Sequence, residues 1–265
     1  MIVLGIETSC DETSVGIVKD GNELLACVTA SSMEIHAKYG GVVPEIAARE
    51  HITAMTPTIE SALEQAGLDW SHVDSIAVTY GAGLGGSLLV GVLTARTLAI
   101  TKNKPLYAVN HVEGHVYANF LTKTSLPDYT MPSKQPEFPL LALIVSGGHS
   151  QLALFNNHFD YKLLGQTQDD AIGEAFDKVA KIIGLPYPGG PSIAQTAQNG
   201  DANYLKLPKA QMQNKYDFSF SGLKTAVLRA VQAECGKDYS FPSFKLAELL
   251  SGSQVANIAA SFQKT

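Results

Sequence analysis

Two similar stretches of sequence decide the fold: residues 1–18, MIVLGIETSCDETSVGIV, and residues 140–155, LLALIVSGGHSQLALF. Each places a turn of small polar residues between two apolar runs, which is the pattern of two strands joined by a hairpin. We interpret the second stretch as a weak internal duplication of the first. The chain is therefore predicted to contain two α/β halves that each open on a hairpin.

Between the hairpins, helices and strands alternate. A long helix is predicted after Pro44, and a strand over 75–79 leads through the glycine-rich GAGLGGS into an apolar helix. Residues 121–139 contain four prolines and no periodicity, which is typical of a connection between halves. We therefore predict two domains, residues 1–120 and residues 121–265.

Composition excludes several classes of protein. With 45% hydrophobic and 17% charged residues, the 265-residue chain is not disordered, and no apolar run approaches the roughly 18 residues of a membrane span. The N-terminus lacks a basic leader, and the three cysteines form no CxxC pair, so we expect a reducing, cytoplasmic location. The net charge of -6 argues against a broadly cationic nucleic-acid surface but leaves room for a local basic patch.

The segment NHVEGHVYANF, residues 110–120, holds two histidines four positions apart. On a helix, His111 and His115 share one side, where two imidazole nitrogens can bind one divalent metal. The pattern is not HExxH, because Glu113 does not follow the first histidine. The alternative is a pair of surface histidines, and a metal site would need a further ligand such as His149 or a distant carboxylate.

Two polar segments near the predicted strands each allow two interpretations. GAGLGGSLLVG, residues 81–91, suits either close backbone approach to an anion or tight helix–sheet packing. The turns ETSCDETS and SGGHS suit either a clamp for Mg²⁺ and phosphate or ordinary hairpin turns. Cys10 is a weak candidate nucleophile, because its surroundings are acidic.

A helix is predicted over residues 169–183, with Asp170, Glu174 and Asp177 in one stripe on a solvated face. The PGGP loop after it leaves room for a nucleoside. Near the C-terminus, SQVANIAASFQKT has an apolar helical face and no stop signal. We take this as the mark of a chain that is cut short.

Eight motifs follow one another along the chain in an order found in a known family. They are IETSCDET, VVPEIAAREH, GLGGSLLVG, NHVEGH, IVSGGH, GEAFDKVAK, YPGGP and FSFSGLKT. This series resembles the TsaD family, also called YgjD or Gcp and formerly O-sialoglycoprotein endopeptidase, and the resemblance runs from Met1 to Thr265. The resemblance implies an α/β, two-lobed fold of the actin-like and sugar-kinase-like ATPase kind, with duplicated βββαβα-type lobes.

The same resemblance implies an activity and its ligands. Members of the family transfer threonylcarbamoyl from threonylcarbamoyl-AMP to the N6 amine of the adenosine next to the tRNA anticodon. His111 and His115 correspond to the two metal-binding histidines, for Fe²⁺ or Zn²⁺, and ATP with Mg²⁺ is an alternative ligand. The segment that contacts the adenylate corresponds to Ile144, Val145, Ser146, Gly147 and Gly148.

Other positions follow in the same way. Asp177 and Gly190 correspond to the residues that hold the nucleoside, and Asp11 and Glu12 are expected to orient the incoming amine or the carbonyl. Ala82 departs from the usual proline, and Lys102 from a frequent aromatic residue. Members of the family also continue further and there supply an aspartate ligand and an asparagine. We therefore expect weak metal binding and an inactive chain without that remainder.

The resemblance implies partners as well. They are tRNA, a paralogous actin-like subunit of TsaB type, a small ATPase of TsaE type and an upstream threonylcarbamoyl-AMP synthase, with no membrane and with a homodimer left open. Six lysines concentrate positive charge in the second half and are a candidate tRNA surface: Lys178, Lys181, Lys206, Lys209, Lys215 and Lys224. The rival functions are a metallo-endopeptidase, a non-catalytic actin-like scaffold and a sugar or acetate kinase.

Overall fold

The computed structural model describes residues 1–265 and divides them into two compact units, Met1–Glu137 and Phe138–Thr265. This boundary lies later than the 120/121 boundary inferred from sequence. The reason is that the proline-rich connection belongs to the first unit: a short strand at Lys123–Thr124 pairs in parallel with the strand Glu23–Ser31. Each unit is described by itself below.

Unit 1 contains a six-stranded mixed sheet with strand order β5-β4-β1-β2-β3-β6. The strands are β1 (Ile2–Glu7), β2 (Glu12–Lys19), β3 (Glu23–Ser31), β4 (Ser75–Gly81), β5 (Leu106–Asn110) and β6 (Lys123–Thr124). The strands β1, β2 and β3 are antiparallel, as the hairpin pattern predicts, whereas β1, β4 and β5 are parallel. Parallel strands end at the same edge of a sheet, so the residues that follow β1 and β5 lie close together.

Four helices belong to unit 1. They are α1 (Met33–Ala37), α2 (Pro44–Ala66), α3 (Gly85–Thr101) and α4 (His111–Tyr117). Helix α2 begins at a proline, whose fixed φ suits the first helical turn, and ends at Gly67 with φ 64°. Its Met55 and Ile59 pack on Leu4 and Ile17 of the sheet in one buried cluster. Burying each such side chain contributes roughly 2 kcal/mol, which anchors α2 on the sheet.

Unit 2 begins, like unit 1, with three consecutive antiparallel strands. They form a three-stranded sheet of β7 (Leu140–Val145), β8 (Ser150–Asn157) and β9 (Asp160–Gln166). Four helices follow: α5 (Ile172–Ile183), α6 (Gly189–Ala197), α7 (Ser221–Glu234) and α8 (Gly252–Lys264). The mixed α/β class predicted from the sequence is confirmed. Unit 2 repeats the βββ part of unit 1 and continues with helices.

One detail of unit 2 differs from the prediction. Helix α5 begins at Ile172 rather than at 169, because the carboxylate of Asp169 accepts hydrogen bonds from Phe220 N and Ser221 N and is held outside the helix. The last helix, α8, begins with a capping box in which Ser251 and Gln254 satisfy each other's backbone amides. Its apolar face, with Ile258 and Phe262 on it, is buried in the core of unit 2.

None of the helices combines the length and the apolar character that crossing a bilayer requires.

Candidate functional site

The two histidines of the NHVEGH motif are held at the end of a parallel strand. Helix α4 begins at His111, directly after β5, and the Asn110 side chain caps it by accepting from Val112 N at 2.9 Å. One turn later, His115 Nε2 lies 3.1 Å from His111 Nε2, with the ring centroids 4.6 Å apart. The sequence-predicted pair is therefore a pair in space, with both Nε2 atoms facing each other.

The partner of this pair is Glu7, the last residue of β1. Glu7 Oε2 lies 3.3 Å from His111 Nδ1, and Ser9 Oγ lies 3.1 Å from the same nitrogen. The other Glu7 oxygen accepts from the backbone N–H of Ser9. Strands β1 and β5 flank β4 in the sheet, which explains why residues so distant in sequence meet here.

The Glu7 carboxylate is ionised over the whole physiological pH range. Burial acts to raise its pKa, since it disfavours the charged form. Hydrogen bonds with His111, Ser9 and Thr79 outweigh burial and bring the pKa to about 2. The histidine pair thus lies next to a carboxylate that stays negatively charged.

This donor set fits a divalent metal, because two imidazole nitrogens converge and one imidazole is oriented by a carboxylate. No group of three or more His, Cys, Asp or Glu side chains in the structure is arranged to hold a metal ion. The pair therefore accounts for two ligands of such a site.

A cavity of about 520 Å³ within unit 1 opens beside the pair. Glu7, Thr79, His111, His115 and Tyr117 contribute to its wall. Most of its other lining residues are aliphatic or glycine, from β1, β2 and β4. Apolar walls limit water around the polar groups and strengthen their electrostatic interactions.

The glycine-rich loop before α3 packs against the turn after β1. A Cβ on Gly83 would lie 2.5 Å from Ser9 O, and Leu84 N donates to that same oxygen at 2.7 Å. Gly91 faces the Thr8 side chain, which donates to Ser87 O at 2.9 Å. Of the two interpretations of this loop, the structure favours packing, and the packing holds Ser9 beside His111.

Backbone oxygens of the acidic turn, residues 10–12, are held by side chains of neighbouring elements. Asp11 O accepts from Ser32 Oγ at 2.6 Å, and Cys10 O lies 3.0 Å from Nε2 of the buried His51. Within the pair, His111 Nδ1 lies within hydrogen-bond distance of Glu7 and Ser9. Burial, reinforced by the Asp11 charge, raises the pKa of the Cys10 thiol to about 12, which makes it a poor nucleophile.

In unit 2, the SGGH turn joins β7 to β8. Its ends are tied together, because Ser146 N donates to His149 O at 2.9 Å and His149 N donates to Ser146 Oγ at 3.0 Å. A Cβ added to Gly147 or Gly148 would meet nothing within 4 Å. The two glycines therefore leave open space where side chains would be. The preceding strand residues alternate, with Ile144 buried and Val145 exposed.

The carboxylate of Asp177, on α5, reaches the first turn of α6. Its Oδ1 accepts from Gly189 N at 2.7 Å. Burial raises the pKa of Asp177 above its usual value, and the nearby charge of Glu174 adds to this, while the Gly189 hydrogen bond opposes it. The neighbouring Gly190 has open space where a Cβ would be. Gly190 thus directly follows the residue whose backbone N–H binds Asp177.

Asp170 does not belong to a solvated stripe on α5, which corrects the sequence prediction. It precedes the helix and pairs with Lys178 at 2.9 Å and Lys224 at 2.7 Å. Burial acts to raise its pKa, but the two lysines outweigh it and bring the pKa to about 2. Sequence reasoning missed this cluster, because Lys224 lies 54 positions away and had been assigned to a nucleic-acid surface.

The family model described as "TsaD: tRNA N6-adenosine threonylcarbamoyltransferase" matches residues 23–265. A protein of that name from Thermomicrobium roseum is 49% identical over 270 residues, which cover 99% of this chain and 73% of that protein. Another from Symbiobacterium thermophilum is 47% identical over 263 residues, which cover 99% of this chain and 70% of that protein. Among solved structures, component A of the Acidaminococcus fermentans (R)-2-hydroxyglutaryl-CoA dehydratase is similar with 15% identity and a TM-score of 0.44, over 94% of this chain and 73% of that one.

Proposed function

The chain belongs to the TsaD family of tRNA N6-adenosine threonylcarbamoyltransferases, and from this we propose that it transfers threonylcarbamoyl from threonylcarbamoyl-AMP to the N6 amine of the adenosine next to the tRNA anticodon. The observation that carries the proposal is the family match over residues 23–265, which includes the oriented histidine pair. The amide-rich turn and Asp177 lie within the same match.

The reaction needs no covalent intermediate on the protein. The donor is a mixed anhydride of a carbamic acid and a phosphate, so its carbonyl carbon is already electrophilic. Attack by the N6 amine forms the carbon–nitrogen bond and breaks the bond between that carbon and the phosphate oxygen. AMP leaves with the electron pair, and the amine gives up one proton. This agrees with a site whose cysteine thiol, Cys10, is held protonated.

Residues of both units have roles in this proposal. His111 and His115 would hold a divalent metal, Fe²⁺ or Zn²⁺, which when bound supplies a Lewis acid for the donor carbonyl. The open amides of Gly147 and Gly148 suit the phosphate of the leaving AMP. We assign Asp177 to the nucleoside.

The remaining assigned positions complete this scheme. Gly190 leaves space next to Asp177 for the nucleoside. Asp11 and Glu12 are assigned to orient the amine, because they supply carboxylates in the turn next to Glu7.

We further propose that the chain works with tRNA, a paralogous TsaB-type subunit and a small TsaE-type ATPase, and that it receives its donor from a threonylcarbamoyl-AMP synthase. Helices α2 and α3 expose large apolar side chains, Ile52 at 67%, Leu89 at 56% and Leu93 at 51%. Exposed apolar groups of this kind suit a protein partner. We place the reaction in the cytoplasm, where three free cysteines stay reduced.

The test is a transfer assay with unmodified tRNA, threonine-labelled threonylcarbamoyl-AMP and the partner subunits. We expect label in tRNA when residues 1–265 are extended by the C-terminal remainder of a family relative, little or none with residues 1–265 alone, and at least a 100-fold lower rate when the extended chain carries His111→Ala. His72→Ala is the matched control, because His72 is exposed and pairs only with Asp69 in its own turn. Unchanged transfer by His111→Ala would contradict the role of the pair. Cleavage of a glycoprotein by the pure chain, abolished by His111→Ala, would support the endopeptidase instead.

A further inference from the structure

The metal-binding nitrogen of a neutral imidazole must be the one without a proton. His111 directs Nε2 at His115 and Nδ1 at Glu7 and Ser9. A ligand role for Nε2 therefore requires the proton of His111 to sit on Nδ1. A free imidazole in solution is not restricted to that tautomer, so the protein must select it.

Glu7 is the group able to impose it. An ionised carboxylate accepts hydrogen bonds and cannot donate, so its contact with Nδ1 requires an N–H there. Ser9 Oγ cannot select a tautomer, because a hydroxyl both donates and accepts hydrogen bonds and can adjust to either tautomer. Although both oxygens lie within 3.3 Å of Nδ1, Glu7 alone selects between the tautomers.

Glu7 is itself fixed in place. It ends β1, which pairs on both sides with β2 and β4, and its second oxygen accepts from Ser9 N. Its side chain is 34% exposed and that of His111 is 21% exposed, so the contact is partly shielded from water. With Nδ1–H donating to Glu7, His111 Nε2 carries a lone pair and lies 3.1 Å from His115 Nε2.

We propose that Glu7 is a positioning residue: it locks His111 in the Nδ1–H tautomer and thereby presents Nε2 to the metal. This deepens the proposed function, since it rests on the metal site assigned there. Outer carboxylates that orient histidine ligands typically change metal affinity by roughly 10- to 100-fold.

The test compares tautomer and metal affinity in the full chain. Nitrogen NMR of ¹⁵N-histidine-labelled, metal-free protein at a pH where imidazole is neutral reports which ring nitrogen of His111 is protonated. We expect Nδ1–H in the wild type and a shift toward Nε2–H in Glu7→Gln. Titration with Zn²⁺ or Co²⁺ should give an affinity roughly 10- to 100-fold lower for this variant.

Two controls separate tautomer selection from general damage. Ser9→Ala should keep the Nδ1–H form, because Glu7 remains. Glu60→Gln removes an equal charge from the exposed face of α2 and should change neither readout. If Glu7→Gln does not fold, Glu7→Asp keeps the charge, withdraws the carboxylate by one methylene and should shift the tautomer partially.

Retention of Nδ1–H in Glu7→Gln, or a tautomer shift with unchanged metal affinity, would overturn the assignment of Glu7. The proposed metal site fails in a different way. If the wild-type chain shows Nδ1–H at His111 but binds neither Zn²⁺ nor Co²⁺, the metal site is refuted, while the control of the tautomer by Glu7 is still supported by the NMR result.

Discussion

Gly173, in the first turn of α5, lies directly against Gly147 of the SGGH turn. A Cβ on Gly173 would come within 2.7 Å of Gly147 Cα and of Ser146 O, and Gly173 N donates to Ser146 O at 3.3 Å. Real side chains do not approach backbone so closely. The SGGH turn therefore depends on a glycine that lies outside it in sequence.

Gly173→Ala should displace the turn and weaken binding of threonylcarbamoyl-AMP. We expect an increase of about tenfold in the KM for the donor, while Zn²⁺ affinity at the histidine pair is unchanged. Steady-state transfer kinetics and metal titration measure the two effects. Gly222→Ala is the control: it occupies the same place in α7 but has open space at its Cβ, so it should fold at least as well as the wild type. Equal donor KM in both variants would refute the role of Gly173.

Asp170 should stabilise unit 2 in a pH-dependent way. Its folded pKa, about 2, lies below the ordinary value of 3.8. Its contribution is therefore fully present above about pH 4 and is lost as the pH falls toward 2. With its side chain 15% exposed, we expect this contribution to be on the order of 2 kcal/mol. Asp170→Asn should lower the free energy of unfolding by about that amount at pH 7, measured by urea titration.

The matched control for this variant is Asp160→Asn, at an exposed position of β9. The difference between the two variants should shrink on acidification to pH 3 and below. A difference that is the same at pH 7 and pH 3 would show that the ion pairs with Lys178 and Lys224 do not stabilise the fold.

Two of the six lysines in the candidate tRNA surface inferred from the sequence are paired within the fold. Lys178 and Lys224 are paired with Asp170. The remaining members are exposed: Lys181, Lys206, Lys209 and Lys215.

Reversing Lys206 and Lys209 to glutamate should lower tRNA affinity and reduce the slope of log affinity against log salt by roughly 2. Binding titrations at several salt concentrations measure both. Lys134→Glu, in unit 1 and already beside Glu137, is the control. If the double variant keeps the wild-type slope, this surface does not meet tRNA phosphates.

The first strand of unit 2 should drive self-association. Strand β7 lies at the edge of its sheet and exposes Leu141 and Leu143 at 61% each and Val145 at 53%. Exposed apolar edge strands pair readily with other chains. Leu143→Lys should therefore reduce the weight-average mass seen by light scattering at high protein concentration.

Phe244→Lys is the control for Leu143→Lys. It adds the same charge at a residue that is 67% exposed but lies outside any strand. An equal effect of both substitutions would assign the change to net charge alone.

Features that depend on near neighbours could be predicted from the sequence. The two hairpins follow from apolar alternation around small polar turns, and the histidine pair follows from a spacing of four residues on a helix. Both are found in the structure. The sequence also predicts the glycine-rich loop between a strand and a helix, here β4 and α3. Its packing on Ser9 is not evident from the sequence of the loop itself.

Features that depend on distant residues were missed. Glu7 meets His111 across 104 positions, and no local pattern marks one of three acidic residues in the same turn as the partner. The start of α5 was misplaced for a similar reason, since Asp169 is held by residues of the segment that leads into α7. Knowing that parallel β1 and β5 both flank β4 would have indicated Glu7, because their ends share one edge.

His51 and Ile52 are consecutive residues of α2 with opposite surroundings. The His51 ring is 1% exposed and bridges Thr13 and Cys10, whereas Ile52 is 67% exposed on the outer surface. One turn of helix thus has the acidic turn on its inner side, and on its outer side the apolar surface proposed above for a protein partner. If a partner subunit docks on Ile52 and rotates α2, the rotation would displace Cys10 O through its hydrogen bond with His51. Such a movement would also displace Asp11 and Glu12, which follow Cys10 in the acidic turn.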